Sequence, residues 1–169
     1  MFAAHSVESA PQDSQPAMRA VAEASGGTVP DAVARLAASP ELLNGFLAMS
    51  ASFESCTLDP LAREVVIMTV AVRNQCHVCV AMHTGKLRAL GAGTELITAL
   101  REERAPSDER LAAIRTFTLE VLSTAGGVDD DALSALLAHG YTERNALEVV
   151  LGVGTYTMST FANRLVRAA

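Results

Sequence analysis

Twice in the first sixty residues a capping side chain stands directly before a proline, at Ser39-Pro40 and at Asp59-Pro60. Such a pair starts a helix. The Ser or Asp oxygen accepts a backbone N–H of the first turn, and proline at the first helical position has the required φ and no N–H to satisfy. After Pro40 the apolar residues Leu42, Leu43, Phe46, Leu47 and Phe53 fall near helical spacing. After Pro60 the pattern runs to about Arg73, where Asn74-Gln75 breaks it. The stretch from Val65 to Val72 has a strand-like composition, but its capped start and its length above ten residues favour a helix.

Helical punctuation continues through the chain. Gly26-Gly27 ends a first short helix, and Pro30 starts a second with Val33 and Leu36 inward. One helix runs from near Cys76 to Gly91, and Thr94 caps a short one. Ser107, Asp108 and Glu109 open another, whose stripe is Leu111, Ile114, Phe117, Val121 and Leu122 and whose stop is Gly126-Gly127. Asp129-Asp130-Asp131 starts the next, ended by Gly140, and Thr142 begins a last long helix reaching about Arg167. No stretch alternates like a strand and none repeats. The expectation is all-α: one helical-bundle domain over 16–169, built round an antiparallel helical hairpin that carries two cysteines. Residues 1–15, polar and containing Pro11, are expected to form a loose tail.

Composition narrows the function. A chain of 169 residues suits one domain burying roughly 70% of its unfolded surface. An apolar half excludes wholesale disorder, and a net charge of −6 argues against a nucleic-acid partner. Three cysteines cannot make a disulfide-dense secreted scaffold. The N-terminus has no basic segment followed by an apolar one, and no apolar run approaches the ~18 residues of a membrane span. A soluble cytoplasmic protein with no membrane partner is expected. In that reducing compartment an isolated cysteine pair is more often catalytic or metal-binding than structural.

The chemistry concentrates in EVVIMTVAVRNQCHVCVAMHTGKLRALG, from Glu64 to Gly91. If the helices either side of Asn74-Gln75 pack antiparallel, Glu64 and His83 lie at one level, since each residue rises about 1.5 Å. Cys79 and His83 are four apart and share a face. The predicted order is carboxylate, imidazole, thiol. Cys76 and Cys79 sit at a helix start, where the dipole and unpaired N–H groups favour a thiolate. His83 is placed to take a thiol proton, and Glu64 to hold the imidazole in one tautomer. A metal reading competes, because Cys76, Cys79 and His83 supply three ligands, with Glu64, Cys56 or His139 as a fourth. Structural zinc ordinarily uses two separated ligand pairs, and only one is present. Haem attachment requires His directly after the second cysteine, where Val80 stands. No metal or other cofactor is assigned.

Glu64, Asn74, Cys76, Cys79, His83 and Gly91, at this spacing, resemble the alkylhydroperoxidase D-like branch of the carboxymuconolactone decarboxylase superfamily. The lead-in PDAVARLAASPELLNGFLAMSASF and the closing YTERNALEVVLGVGTYTMSTFANRL extend the similarity over most of the chain. The resemblance implies an all-helical enzyme that assembles as a homo-oligomer, often a trimer or hexamer. It implies a thiol peroxidase that reduces hydroperoxides and is recharged by a dithiol donor, a lipoyl-bearing or thioredoxin-like protein. It implies Cys79 as the peroxidatic thiol, activated through His83 and Glu64, and Cys76 as the resolving and more accessible one. Some members carry a second His or a Tyr just before the second cysteine. Val78 stands there, and His77, one residue earlier and about 100° round the helix, does not replace it. Two alternatives stay open: a decarboxylase-like lyase, which in this superfamily does not use a redox cysteine pair, and a non-catalytic redox or metal-sensing module.

The remaining candidates read as structural. Cys56 is expected to be a partly buried small residue, His139 to cap a helix end, and His77 to be solvated. Gly152 and Gly154 are expected to permit close helix packing, and Met49, Met68, Met82 and Met158 to fill core or interface. Met82, Leu87 or residues of a neighbouring subunit are expected to wall a peroxide or small-acid pocket near Cys79. The last helix is apolar round much of its circumference (Leu147, Val150, Leu151, Met158, Phe161, Leu165), which suggests a subunit interface.

Overall fold

A computed structural model describes residues 2–168. Among them the chain forms nine α-helices and no strand: α1 (Gln15–Ala24), α2 (Asp31–Leu36), α3 (Pro40–Glu54), α4 (Pro60–Arg73), α5 (His77–Ala89), α6 (Thr94–Arg101), α7 (Glu109–Ser123), α8 (Asp130–Ala138) and α9 (Glu143–Val166). The caps are those the sequence announces. Ser39 accepts from the Leu42 N–H, Asp59 from Ala62, Asp108 from Leu111 and Asp129 from Ala132. Each contributes about 1 kcal/mol. Thr142 and Asn145 close a reciprocal capping box on α9. Thr94 is the first helical residue of α6 rather than its cap, which is Gly93.

The centre of the molecule is α4. Every residue from Glu64 to Ala71 is buried, and α5, α7 and α9 pack round it. That explains why the 64–71 run has no polar face: a helix enclosed on all sides needs none. α9 lies so close to α3 and α4 that a Cβ on Gly152 would come within 2.7 Å of the Phe53 ring and 3.0 Å of Val66. Gly154, by contrast, faces open space, so only the first of the two glycines serves helix packing.

A smaller apolar cluster joins Ala10, Met18, Leu36, Ala37 and Leu43 to Val166 near the end of α9. Residues 2–14 differ from the loose tail that their composition predicts, for they lie across this cluster. The His5 N–H donates to Ala34 O, the Ser14 hydroxyl to Ala37 O, and Arg35 Nη1 to Phe2 O. Ser6 and Ser9 meanwhile bond each other's backbone N–H. Their polarity reflects local self-bonding rather than a lack of docking contacts.

On its outer side α9 carries a line of apolar residues in two pairs, one three residues apart and one four. Leu147 (72% exposed), Val150, Phe161 (57%) and Leu165 (68%) lie open to solvent. No helix among the described residues is long and apolar enough to cross a membrane.

Candidate active site

The site is built by the way α4 ends. The Gln75 N–H bonds Val72 O, and the Cys76 N–H reaches back to Ala71 O, both at 2.9 Å. Gln75 has φ +54, the left-handed turn that this C-terminal motif requires. Ala71 and Cys76 then touch, with Cys79, in a small apolar cluster. The same turn makes Cys76 the N-cap of α5, and its side chain makes no capping bond. Cys79 follows in the first turn of α5. Both thiols are free, and both are buried, at 1% and 3% exposure. The expected difference in accessibility is therefore not one of exposed surface. It lies in the cleft: a depression of about 280 Å³ is lined by Gln75, Cys76, His77, Asn163, Arg164 and Arg167, and Cys79 is not on its wall.

α9 clamps this turn from the other side. Asn74 Nδ2 donates to Thr160 Oγ1 and Arg164 Nη1 donates to Asn74 O, both at 2.9 Å. Buried Asn163 directs its Nδ2 to Cys79 Sγ at 3.3 Å. Its Oδ1 is also buried and has no partner among the described residues. Asn163 is the functional candidate that sequence reasoning missed. The only signal was an amide on the inward side of a largely apolar helix, far along the chain from the cysteines.

The two thiols titrate as a pair. The Cys76 thiol is held down to about 7, chiefly because the Cys79 S–H donates toward it. The Cys79 backbone N–H, the Asn163 amide and the Arg164 charge add to this, against the cost of burial. Cys79 is pushed far up, first by donating to Cys76 and then by burial. Of the two, the Cys76 thiol is the more readily ionised. The physical reason is position: Cys76 takes the N-cap, and Cys79 lies one layer deeper.

One turn along α5, His83 Nδ1 meets Glu64 Oε2 at 2.7 Å, with both side chains buried. The spacing argument placed these two groups at one level, and the structure does the same. The Tyr156 ring stands edge-on to the imidazole, 5.6 Å away, and fixes its plane. The last step of the predicted relay differs. No hydrogen bond joins His83 to either sulfur among the described residues, because the Cys79 thiol turns toward Cys76 and Asn163 instead. Glu64 opens onto a separate cleft of about 380 Å³, shared with Glu54, Pro60, Arg63 and Lys86. Lys86 pairs with Glu54 there, leaving Glu64 to the histidine.

The other candidates fall away from the chemistry. Met82 is half exposed and Leu87 fully buried in the main core, and neither lines the two clefts. Cys56 is partly buried, and burial pushes its thiol up. His139 bonds the Ala135 carbonyl at the end of α8, and His77 is exposed. An apolar groove of about 410 Å³ between α7 and α8 contains none of the sulfur or relay residues. Among the described residues no three His, Cys, Asp or Glu side chains are grouped to hold a metal ion.

Residues 40–119, which contain Glu64, both site cysteines and His83, match the model of the carboxymuconolactone decarboxylase family. This matched segment, just under half of the chain, is similar to that family. The fold of the chain is that of the alkylhydroperoxidase D-like branch. An uncharacterized peroxidase-related protein from Ralstonia eutropha JMP134, with an alkylhydroperoxidase AhpD core, superimposes with a TM-score of 0.87 at 21% identity, over 99% of this chain and 90% of that one. A second peroxidase-related protein, from Silicibacter sp. TM1040, gives 0.78 at 22% identity over 94% and 85%. The debrominase Bmp8, in complex with 2,3,4-tribromopyrrole, gives 0.76 at 14% identity over 100% and 90%. None of the curated proteins matches the chain.

Proposed function

We propose that this protein is a thiol-dependent peroxidase, a disulfide oxidoreductase that reduces hydroperoxides through Cys76 and Cys79. The supporting observation is the buried pair of free thiols at the start of α5, with the His83–Glu64 hydrogen bond one turn away. In this superfamily the lyase alternative would leave such a pair without a task.

The reaction runs in two halves. Cys79 passes its proton to the neighbouring Cys76 sulfur, and its thiolate attacks the distal oxygen of the hydroperoxide. An S–O bond forms, the O–O bond breaks, and the departing alkoxide takes a proton to leave as an alcohol. His83 is the nearby proton source and Glu64 its positioning residue. Cys76 then attacks the sulfenic sulfur of Cys79; the S–S bond forms, the S–O bond breaks and water leaves. A dithiol donor, lipoyl-bearing or thioredoxin-like, reopens the disulfide by attacking Cys76, the sulfur that lines the cleft. Cys79 departs as a thiolate that accepts from Asn163. Overall, hydroperoxide and dithiol become alcohol, water and disulfide. Such a cycle needs a reducing compartment, which favours the cytoplasm.

The exposed apolar line on α9 supports self-association as a trimer or hexamer, because open side chains of this size at helical spacing are ordinarily covered. Light scattering on Leu165→Glu tests this; the oligomer is expected to dissociate, and an unchanged mass contradicts it. The enzyme reading is tested by adding hydroperoxide to reduced protein. Peroxide loss with disulfide formation, both abolished in Cys79→Ser, is expected. Activity on a carboxylated lactone that survives loss of both site cysteines would instead favour the lyase.

A further inference from the structure

The protein carries a net charge of −6, yet the cleft above Cys76 has the opposite sign. Its described lining includes Arg164, Arg167 and His77 and no acidic residue. Arg164 is already oriented, since one of its N–H groups is fixed on Asn74 O, leaving the rest of the guanidinium for a ligand. The first turn of α5 has no side-chain cap and opens beside the same place. The fourth feature is independent of charge. Asn163 is 4% exposed, lines the cleft, commits its Nδ2 to Cys79 and leaves Oδ1 buried and empty. A buried acceptor without a partner costs free energy unless a ligand fills it. The volume, about 280 Å³, suits a small molecule.

Resting on the reading of Cys76–Cys79 as a redox pair, we propose that this cleft also binds a small carboxylate-bearing thiol, a second reductant beside the protein-borne dithiol. Its carboxylate sits on Arg164 and Arg167, its sulfur meets Cys76, and an N–H, O–H or S–H of the same molecule donates to Asn163 Oδ1. The reductant thiolate attacks Cys76 Sγ in the disulfide; the mixed disulfide forms, the Cys76–Cys79 bond breaks, and Cys79 leaves as a thiolate. A second reductant thiol then attacks the reductant sulfur of the mixed disulfide and releases Cys76 as a thiolate. Two electrons pass from the reductant, which ends as a disulfide. Because the Cys76 thiol sits near 7, it is a good leaving group in this last step.

The test uses a matched pair of probes, dihydrolipoate and dihydrolipoamide, which share the dithiol and differ in one negative charge. Full-length protein is oxidised to the Cys76–Cys79 disulfide with diamide, so that the result does not depend on peroxide chemistry. Reopening is followed by thiol release. The expected result is a preference for the acid of about tenfold in kcat/KM at low salt, fading as ionic strength rises. In Arg167→Gln, a side chain for which no other bond is recorded, the ratio falls toward one, and Arg167→Lys restores part of it. Equal rates for acid and amide, a preference that survives Arg167→Gln, or a disulfide that neither probe reopens each overturn the proposal. A protein that diamide oxidises but hydroperoxide does not contradicts the peroxidase reading instead, and leaves the acid-to-amide ratio to decide this one.

Discussion

α9 points two buried polar clusters into the molecule, and they are built in opposite ways. Near its start, Glu148 is saturated. Its carboxylate accepts from the Thr57 N–H and hydroxyl, from Asn145 Nδ2 and from Arg144 Nε, all within 2.8–3.0 Å. Those bonds hold the carboxyl below the ordinary carboxylate range despite the opposing cost of burial. Near its end, Asn163 spends one half of its amide on a sulfur and leaves the other half empty. The first cluster ties the α3–α4 connection to α9 and has no capacity left for a ligand. The second leaves capacity beside two free thiols. Satisfied buried networks rigidify a fold, whereas a buried orphan beside a titratable pair marks a place where something binds or reacts.

The comparison breaks most visibly at the sulfurs. Cys79→Ser is expected to abolish hydroperoxide-dependent disulfide formation, on the order of 10³-fold or more, with little change in Tm, because the thiol contributes little to the main core. Peroxide consumption and thermal melting, read on one sample, check both halves. Glu64→Gln is expected to lower peroxide turnover by about 100-fold, since His83 loses the carboxylate that orients it. A turnover number within twofold of the parent would remove Glu64 from the mechanism.

Glu148→Ala is expected to do the reverse of Cys79→Ser. It strips partners from the Thr57 N–H and the Asn145 amide, and is expected to destabilise the fold by about 2–3 kcal/mol in denaturant titration, while activity per folded molecule stays close to the parent. Asn163→Ala is expected to cost only about 1 kcal/mol, because half of its amide has no bond to lose. Its effect belongs to the pH profile. A thiol held down to about 7 is charged above that pH and protonated below it, so Cys76 alkylation rises with pH through about 7. Without the Asn163 donor the midpoint moves upward, and an unmoved midpoint denies Asn163 its role.

The smallest expected effect is at the turn itself. Gln75→Gly removes the cost of a left-handed residue that is not glycine, and is expected to stabilise the protein by at most about 1 kcal/mol without altering the thiol midpoint.

Local chemistry made much of the fold legible. Ser39-Pro40, Asp59-Pro60, Asp108, Asp129 and Thr142 announce helix starts by a mechanism that acts within four residues. The Glu64–His83 pair was also legible, because two helices joined by a three-residue turn fix their own register. Asn163 was not. Its contact with Cys79 spans 84 positions and exists only because Gly152 lets α9 settle on α3 and α4. Nor was the order in which the two thiols ionise, which depends on the closing turn of α4 and on Arg164 reaching across from α9. Residues 2–14 misled for a related reason: Ser6 and Ser9 satisfy each other locally, and polarity alone does not distinguish that from a solvated tail.

The central claim is that Cys76 and Cys79 form the redox pair and Cys56 does not. Peptide mass analysis of reduced protein treated with one equivalent of hydroperoxide tests it most directly. The account predicts that the peptide holding Cys76 and Cys79 becomes lighter by two hydrogens and resists alkylation, while Cys56 stays alkylatable. Oxygen added at Cys56, with the Cys76–Cys79 peptide still reduced, would contradict it.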